Sequence, residues 1–156
     1  MSERVHNALK EYLLELGEES KDSMGRPYYE VYSGDSQPID IRLGKRRIEY
    51  KPDVVWEHKG KPYLVIEIAL NEEWRAIVGE MTLAYFTKGC TGIIIITSGW
   101  DENYIKNLVS LIGDKLKQAF KREFYTHCIN LNENQLKDLK EAKGIIKKSL
   151  KQWDWI

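Results

Sequence analysis

The chain has 156 residues, 24 Lys and Arg against 24 Asp and Glu, 42% hydrophobic residues and two cysteines. A domain of this size buries about two-thirds of its unfolded surface, so residues 1–156 are expected to form one soluble domain with a real core. The longest apolar run, around Ile93 to Ile96, is far short of the roughly 20 residues that cross a bilayer, and the zero net charge argues against a generally basic nucleic-acid coat, though not against a local basic face.

The amino terminus, MSERVHNALKEY, is charged and lacks the apolar centre of a secretory signal, so the expected address is the cytoplasm. Cys90 and Cys128 then read as reduced thiols, too far apart and too few for a disulfide framework. His127 beside Cys128 offers two metal ligands, but only His6 and His58 remain to add histidine, which makes a zinc site a poor reading.

Val5, Leu9, Tyr12, Leu13 and Leu16 recur at helical spacing, and Gly17 is placed to stop that first helix. A polar loop follows to about Arg26. Short strand-like runs then cover Tyr28 to Ser33, Ile39 to Leu43, Arg47 to Glu57 and Tyr63 to Leu70, separated by Gly34-Asp35, Gly44 and Lys59-Gly60-Lys61-Pro62, the pattern of an antiparallel meander. Asn71 is a natural cap for a second helix with Ile77, Met81 and Ala84 or Tyr85 on its apolar stripe, running to about Lys88. Gly92 to Ser98 is continuously apolar, as a strand buried on both faces must be, and reads as central or near-central. Asp101 opens a third helix with Tyr104, Ile105, Leu108, Val109, Ile112, Leu116 and Phe120 on its buried side. Glu123 to Leu131 reads as a last strand and residues 133–151 as a closing helix. The fold class expected is α/β in the α+β sense, a mixed sheet flanked by helices.

Chemistry concentrates in Lys51-Pro52-Asp53 and Glu67-Ile68-Ala69. With Lys59-Gly60-Lys61 as the hairpin loop, His58 faces Pro62, and carrying that register back places Asp53 opposite Glu67. Directly opposed side chains on an antiparallel pair share a face at about 4.5–5.5 Å between Cβ atoms, a spacing at which two carboxylates can hold one divalent cation. Glu67 interrupts Leu64-Val65-Ile66-Glu67-Ile68-Ala69-Leu70, where both faces read as buried, and a buried carboxylate is costly without a cation or a hydrogen-bonded partner. Asp53 alone could be an ordinary turn residue. Glu80, on the second helix, could face the sheet as a further ligand or lie in solvent.

The order helix, three-stranded meander, helix, strand, with Pro52-Asp53 followed by Glu67 at the end of an apolar strand, resembles the PD-(D/E)xK nuclease superfamily and its restriction-endonuclease-like core. The resemblance covers roughly residues 2–100. Ser2-Glu3-Arg4-Val5 leading to Leu16-Gly17, Tyr50-Lys51-Pro52-Asp53-Val54-Val55 and Leu64-Val65-Ile66-Glu67 look most like the nuclease domains of restriction and repair enzymes, with a strand and helices added at the carboxyl end. The resemblance implies that Asp53 and Glu67 bind Mg²⁺, or Mn²⁺ in its place, with the Ile68 carbonyl as a further ligand and Glu3 as the acidic residue near the metal. It implies hydrolysis of DNA phosphodiester bonds by in-line attack of water, leaving a 5′-phosphate. Many relatives act as homodimers, so a homodimer is expected here.

One signature position departs: where the family has a lysine, this chain has Ala69. In the register above Lys51 lies opposite Ala69, which makes it the first candidate for a migrated lysine. Arg75 is the second, although an arginine stabilises charge but hardly accepts a proton. The third reading is a degenerate site.

Arg46 and Arg47, beside Lys45, together with Lys59 and Lys61, are candidate phosphate contacts, or else serve solubility and edge protection. Trp56, Trp74 and Trp100 read as core or rim aromatics, because a single-strand stacking platform needs several aromatics on one exposed surface. Trp153 and Trp155 cannot both be buried by so short a tail alone, which calls for a subunit interface or packing back across the domain. Two functions follow: a Mg²⁺-dependent DNA nuclease, or a catalytically degenerate nuclease-fold protein that binds nucleic acid or serves assembly.

Overall fold

The computed structural model describes residues 2–156. It contains a five-stranded mixed sheet, a separate two-stranded ribbon and five helices, the α+β class expected. In chain order these are α1 (Ser2–Glu19), β1 (Glu30–Tyr32), β2 (Ile39–Leu43), β3 (Arg46–Tyr50), β4 (Val54–His58), β5 (Lys61–Leu70), α2 (Trp74–Phe86), β6 (Gly92–Ser98), α3 (Glu102–Phe120), β7 (Tyr125–Leu131), α4 (Glu133–Lys137) and α5 (Leu139–Gln152). No described helix is long and apolar enough to cross a membrane.

The main sheet runs β1-β4-β5-β6-β7, antiparallel as far as β5 and parallel from β5 to β7. Strand period two divides its side chains between two cores. Leu64, Ile66, Ile68, Ile94 and Ile96 face one way, against Leu9, Leu13 and Leu16 of α1 and Ala142, Ile146 and Leu150 of α5. Val65, Ala69, Ile93 and Ile95 face the other way, against Ile77 and Met81 of α2 and Ile105 and Val109 of α3. Every residue of β6 is buried, as its unbroken apolar run requires.

The structure corrects several sequence boundaries. The run from Arg47 to Glu57 is two strands, broken at Lys51-Pro52-Asp53, where proline cannot donate to a ladder. β2 and β3 pair with each other outside the main sheet and lay Ile41 and Tyr50 on the α2–α3 core. Gly17 does not end α1, which continues to Glu19. A Cβ there would stand 2.4 Å from Val31 and 2.7 Å from the Trp56 indole nitrogen, so this glycine serves close approach.

Asn71 does not cap α2: it takes a left-handed φ of 57°, and Glu73 holds the cap position. Tyr104 and Phe120 lie exposed on α3, and the closing helix is broken at Asp138, whose carboxylate accepts from the Glu141 amide and so begins α5. The tail folds back within the chain. Trp155 is buried with its ring edge-on to Tyr63, its carbonyl accepts from the Tyr29 hydroxyl at 2.7 Å, and Trp153 stacks on His127.

The hairpin between β4 and β5 differs in detail from expectation. Its loop is two residues, Lys59 and Gly60, both at positive φ, so His58 pairs with Lys61 rather than Pro62. A β-bulge between Trp56 and Glu57 then shifts the pairing by one residue, and from Trp56↔Leu64 to Val54↔Ile66 the register is the one expected. Extended by one residue, it brings Asp53 to Glu67.

Candidate metal centre

Asp53 lies just before β4, where the strand pairing gives out, and the two acidic residues hold each other through the main chain. The Asp53 amide donates to Glu67 Oε1 at 2.7 Å, and the Ile68 amide donates to Asp53 Oδ2 at 2.7 Å. The backbone of Ile68 thus faces the gap that β4 leaves. His6, on α1, approaches the second Asp53 oxygen, with Nε2 3.1 Å from Oδ1.

Pro52 is buried beside Gly34, whose amide donates to the Pro52 carbonyl at 2.8 Å. A Cβ on Gly34 would stand 2.4 Å from the Pro52 nitrogen. Gly34 therefore allows the backbone contact that sets where Asp53 begins.

Glu67 belongs to the sheet face that carries the α2–α3 core and is 5% exposed. Burial, and after it the neighbouring Asp53 charge, pushes its carboxyl up to about 8, while the Asp53 amide and the Tyr50 hydroxyl act in the opposite sense. Glu80 comes in from α2 and Glu72 from the turn after β5. Burial raises Glu80 well above the carboxylate range, helped by Glu67 and by a hydrogen bond shared with Glu72. One oxygen of each, Glu72 Oε2 and Glu80 Oε2, is buried without a hydrogen-bond partner. Tyr50 is held above the ordinary phenol range by burial first and the Glu67 charge second.

Four carboxylates thus converge with one histidine, and no lysine or arginine among the described residues forms an ion pair with them. No three His, Cys, Asp or Glu side chains among the described residues are arranged as a ready cation cage. The two orphaned buried oxygens and the mutual repulsion are what an added cation would relieve, so the donor set fits a hard divalent ion.

The other residues singled out from sequence fall in different places. Glu3 is exposed, and His6, one turn further along α1, is the residue that reaches Asp53. His6 lies three residues before Leu9 and seven before Leu13, so the buried stripe of α1 carried the signal. Lys51 does not enter the space beside Ala69. It lies outside the strands, half exposed, with Nζ 3.3 Å from Glu49 Oε1, and Ala69 is closed into the core.

Arg75 is exposed on the first turn of α2, its guanidinium 5.3 Å from the centre of the Trp74 ring. Arg46 and Arg47 are exposed on the β2–β3 hairpin, with Arg47 3.4 Å from Asp40. Lys59 and Lys61 sit at the far end of the β4–β5 hairpin, and at ~3.3 Å of rise per residue Lys61 is about 20 Å along β5 from Glu67, so these two do not flank the carboxylates. Comparison with known proteins adds no relative: no family model, curated protein or solved structure matches the chain.

Proposed function

We propose that this protein is a Mg²⁺-dependent nuclease that hydrolyses phosphodiester bonds in DNA. The observation that carries the reading is the convergence of Asp53, Glu67, Glu72 and Glu80, two of them with buried, unpartnered oxygens, at the edge of a sheet where a strand ends. The order α1, antiparallel β1-β4-β5, α2, β6 supports a restriction-endonuclease-like core, with the β2–β3 ribbon as an insertion.

Asp53 and Glu67 would hold the ion, with the Ile68 carbonyl on the same open edge. Bound there, Mg²⁺, or Mn²⁺ in its place, supplies an acidified water and neutralises phosphate charge. The chain's own contributions are distinct. His6 and the Ile68 amide fix both oxygens of Asp53, and the Asp53 amide fixes one oxygen of Glu67. Glu80, whose carboxyl burial holds in the protonated form, stands beside Glu67 as a neutral acid, so no base is assigned in place of the lysine that Ala69 replaces. A cytoplasmic setting and a homodimer belong to the same proposal.

The test is cleavage of supercoiled plasmid, branched DNA and single-stranded DNA with Mg²⁺, Mn²⁺ or EDTA, beside Asp53→Ala and Glu67→Ala. Metal-dependent cutting that both substitutions abolish is the expected result. The second reading, a nuclease-fold module that binds nucleic acid without cutting it, draws on the closed core around Ala69 and the ion pair that holds Lys51 to Glu49. It requires DNA binding unchanged in EDTA and no cutting by any of these proteins.

A further inference from the structure

Beyond the carboxylates, the same end of the sheet holds a second feature that the hydrolytic chemistry leaves unused. Where β5 and β6 finish side by side, at Leu70 and Ser98, a cleft of about 500 Å³ opens, lined by Asn71, Glu72, Trp74, Arg75, Gly99 and Trp100. Two indoles line it, beside Arg75 and the carboxylates of Glu72 and Glu73: Trp74 is 49% exposed, and Trp100 is backed by Tyr104, outside the cleft, with ring centroids 5.8 Å apart and planes at 12°. Large exposed rings are costly to leave in water, and a half-exposed indole facing a second indole across one opening calls for a flat partner.

We propose that this cleft receives an unpaired nucleobase of single-stranded DNA, stacked on the Trp74 indole, with Arg75 on the adjoining phosphate. Glu72 belongs to the cleft wall and, at the turn after β5, is also a neighbour of Glu67 and Glu80, so a nucleotide seated here lies beside the carboxylate cluster. The carboxyl ends of parallel strands are where α/β sheets place ligands. Arg75 already lies over the Trp74 ring and brings a fixed positive charge beside a stacking face, the combination that single-stranded nucleic acid requires and that a duplex, with its base faces covered, cannot use. The inference rests on the nuclease reading for its biological sense, but it makes an independent physical claim.

The test is a binding titration of a twelve-nucleotide oligothymidine and of a duplex of equal length, in EDTA, followed by tryptophan fluorescence and by anisotropy. Wild-type protein, Trp74→Ala, Trp74→Phe, Arg75→Gln and Glu67→Gln are compared. The single strand is expected to quench tryptophan emission, and Trp74→Ala to bind it roughly tenfold more weakly or worse, with partial recovery in Trp74→Phe. Duplex binding should change little with Trp74. Equal single-strand affinity in Trp74→Ala, or quenching by duplex as strong as by single strand, would overturn the proposal. Glu67→Gln separates the two ideas. Quenching without metal-dependent cleavage in the wild type supports the base cleft and rejects the nuclease, whereas cleavage with no effect of Trp74 on single-strand affinity rejects the cleft alone.

Discussion

Glu67 is the residue on which both stability and the proposed chemistry turn. It is buried among acids, and its carboxyl holds its proton to about 8 because burial and then Asp53 oppose the charge. Glu67→Gln keeps the shape and removes that conflict. Metal-dependent cleavage is expected to fall on the order of a hundredfold or more, the scale on which a lost stabiliser of transition-state charge is felt, while the metal-free protein gains roughly 1–3 kcal/mol at pH 8. Plasmid cleavage and urea unfolding of the same preparation check the two halves. His6 acts through Asp53, whose Oδ1 it holds at 3.1 Å. His6→Ala should weaken Mn²⁺ binding by about ten- to a hundredfold, as loss of a group that orients a ligand does, and calorimetric titration would show it. Sequence carried Asp53 and Glu67 because a charge in an apolar strand is conspicuous. Glu3 was named only because the resemblance implies an acidic residue near the metal, and the three-dimensional approach of His6 on α1 to the end of β4 is not written in any local pattern.

At the scale of elements, the site depends on a strand that stops. Pro52 ends the β3 run, Gly34 lies against it, and Asp53 is delivered to Glu67 because of where that contact is made. Gly34→Ala would drive a methyl group into the Pro52 backbone. It is expected to cost about 1–3 kcal/mol and to reduce cleavage far more than any loss of folded protein explains, measured as activity per folded molecule well below the melting midpoint. The pairing of Asp53 with Glu67 was legible through the register, yet for a reason the sequence hides: a two-residue Lys59-Gly60 turn and a bulge at Trp56 and Glu57 offset each other.

The β2–β3 hairpin was legible as two strands, but its independence from the main sheet was not, since alternation records a buried face without saying what buries it. Arg42 lies directly opposite Arg47, and Lys45 and Arg46 share the tip. Like charges opposed on a ribbon repel and invite an anion. Replacing Arg42, Arg46 and Arg47 by Gln should leave thermal stability unchanged or slightly raised. It should also weaken DNA binding at low salt and reduce the slope of log affinity against log salt by about one for each phosphate contact removed.

For the whole molecule, the sheet separates an apolar core under α1 and α5 from one under α2 and α3 whose edge is acidic. The apolar architecture could be read from strand and helix periods, because burial is what those periods encode. The concentration of four carboxylates at one edge could be read only in part, since Glu80 read either as a sheet-facing acid or as a solvated one and Glu72 looks like a helix-end acid until α2 is laid on the sheet. That concentration sets how stability responds to pH. Glu67 and Glu80 bind protons more tightly in the folded chain than in the unfolded one, where a glutamate titrates near 4.5, so over this range the native state holds more protons. Stability must then fall as pH rises, beginning above about 4.5 and, for Glu67, reaching its full loss beyond about 8. The groups that face Glu67 are Asp53, Glu72, Glu80 and the Tyr50 hydroxyl, so no cationic side chain among its described neighbours reverses the sign. In EDTA the melting temperature should therefore drop between pH 5.5 and pH 8.5, with a free-energy change on the order of a few kcal/mol, and Glu67→Gln should flatten much of that slope. Mg²⁺ held as proposed would bind the ionised carboxylates and displace the protons, so its stabilising effect should grow with pH over the same interval. A melting curve that is flat in EDTA from pH 5.5 to pH 8.5 would mean that the acidic edge is open to water and that the cation has no repulsion to relieve.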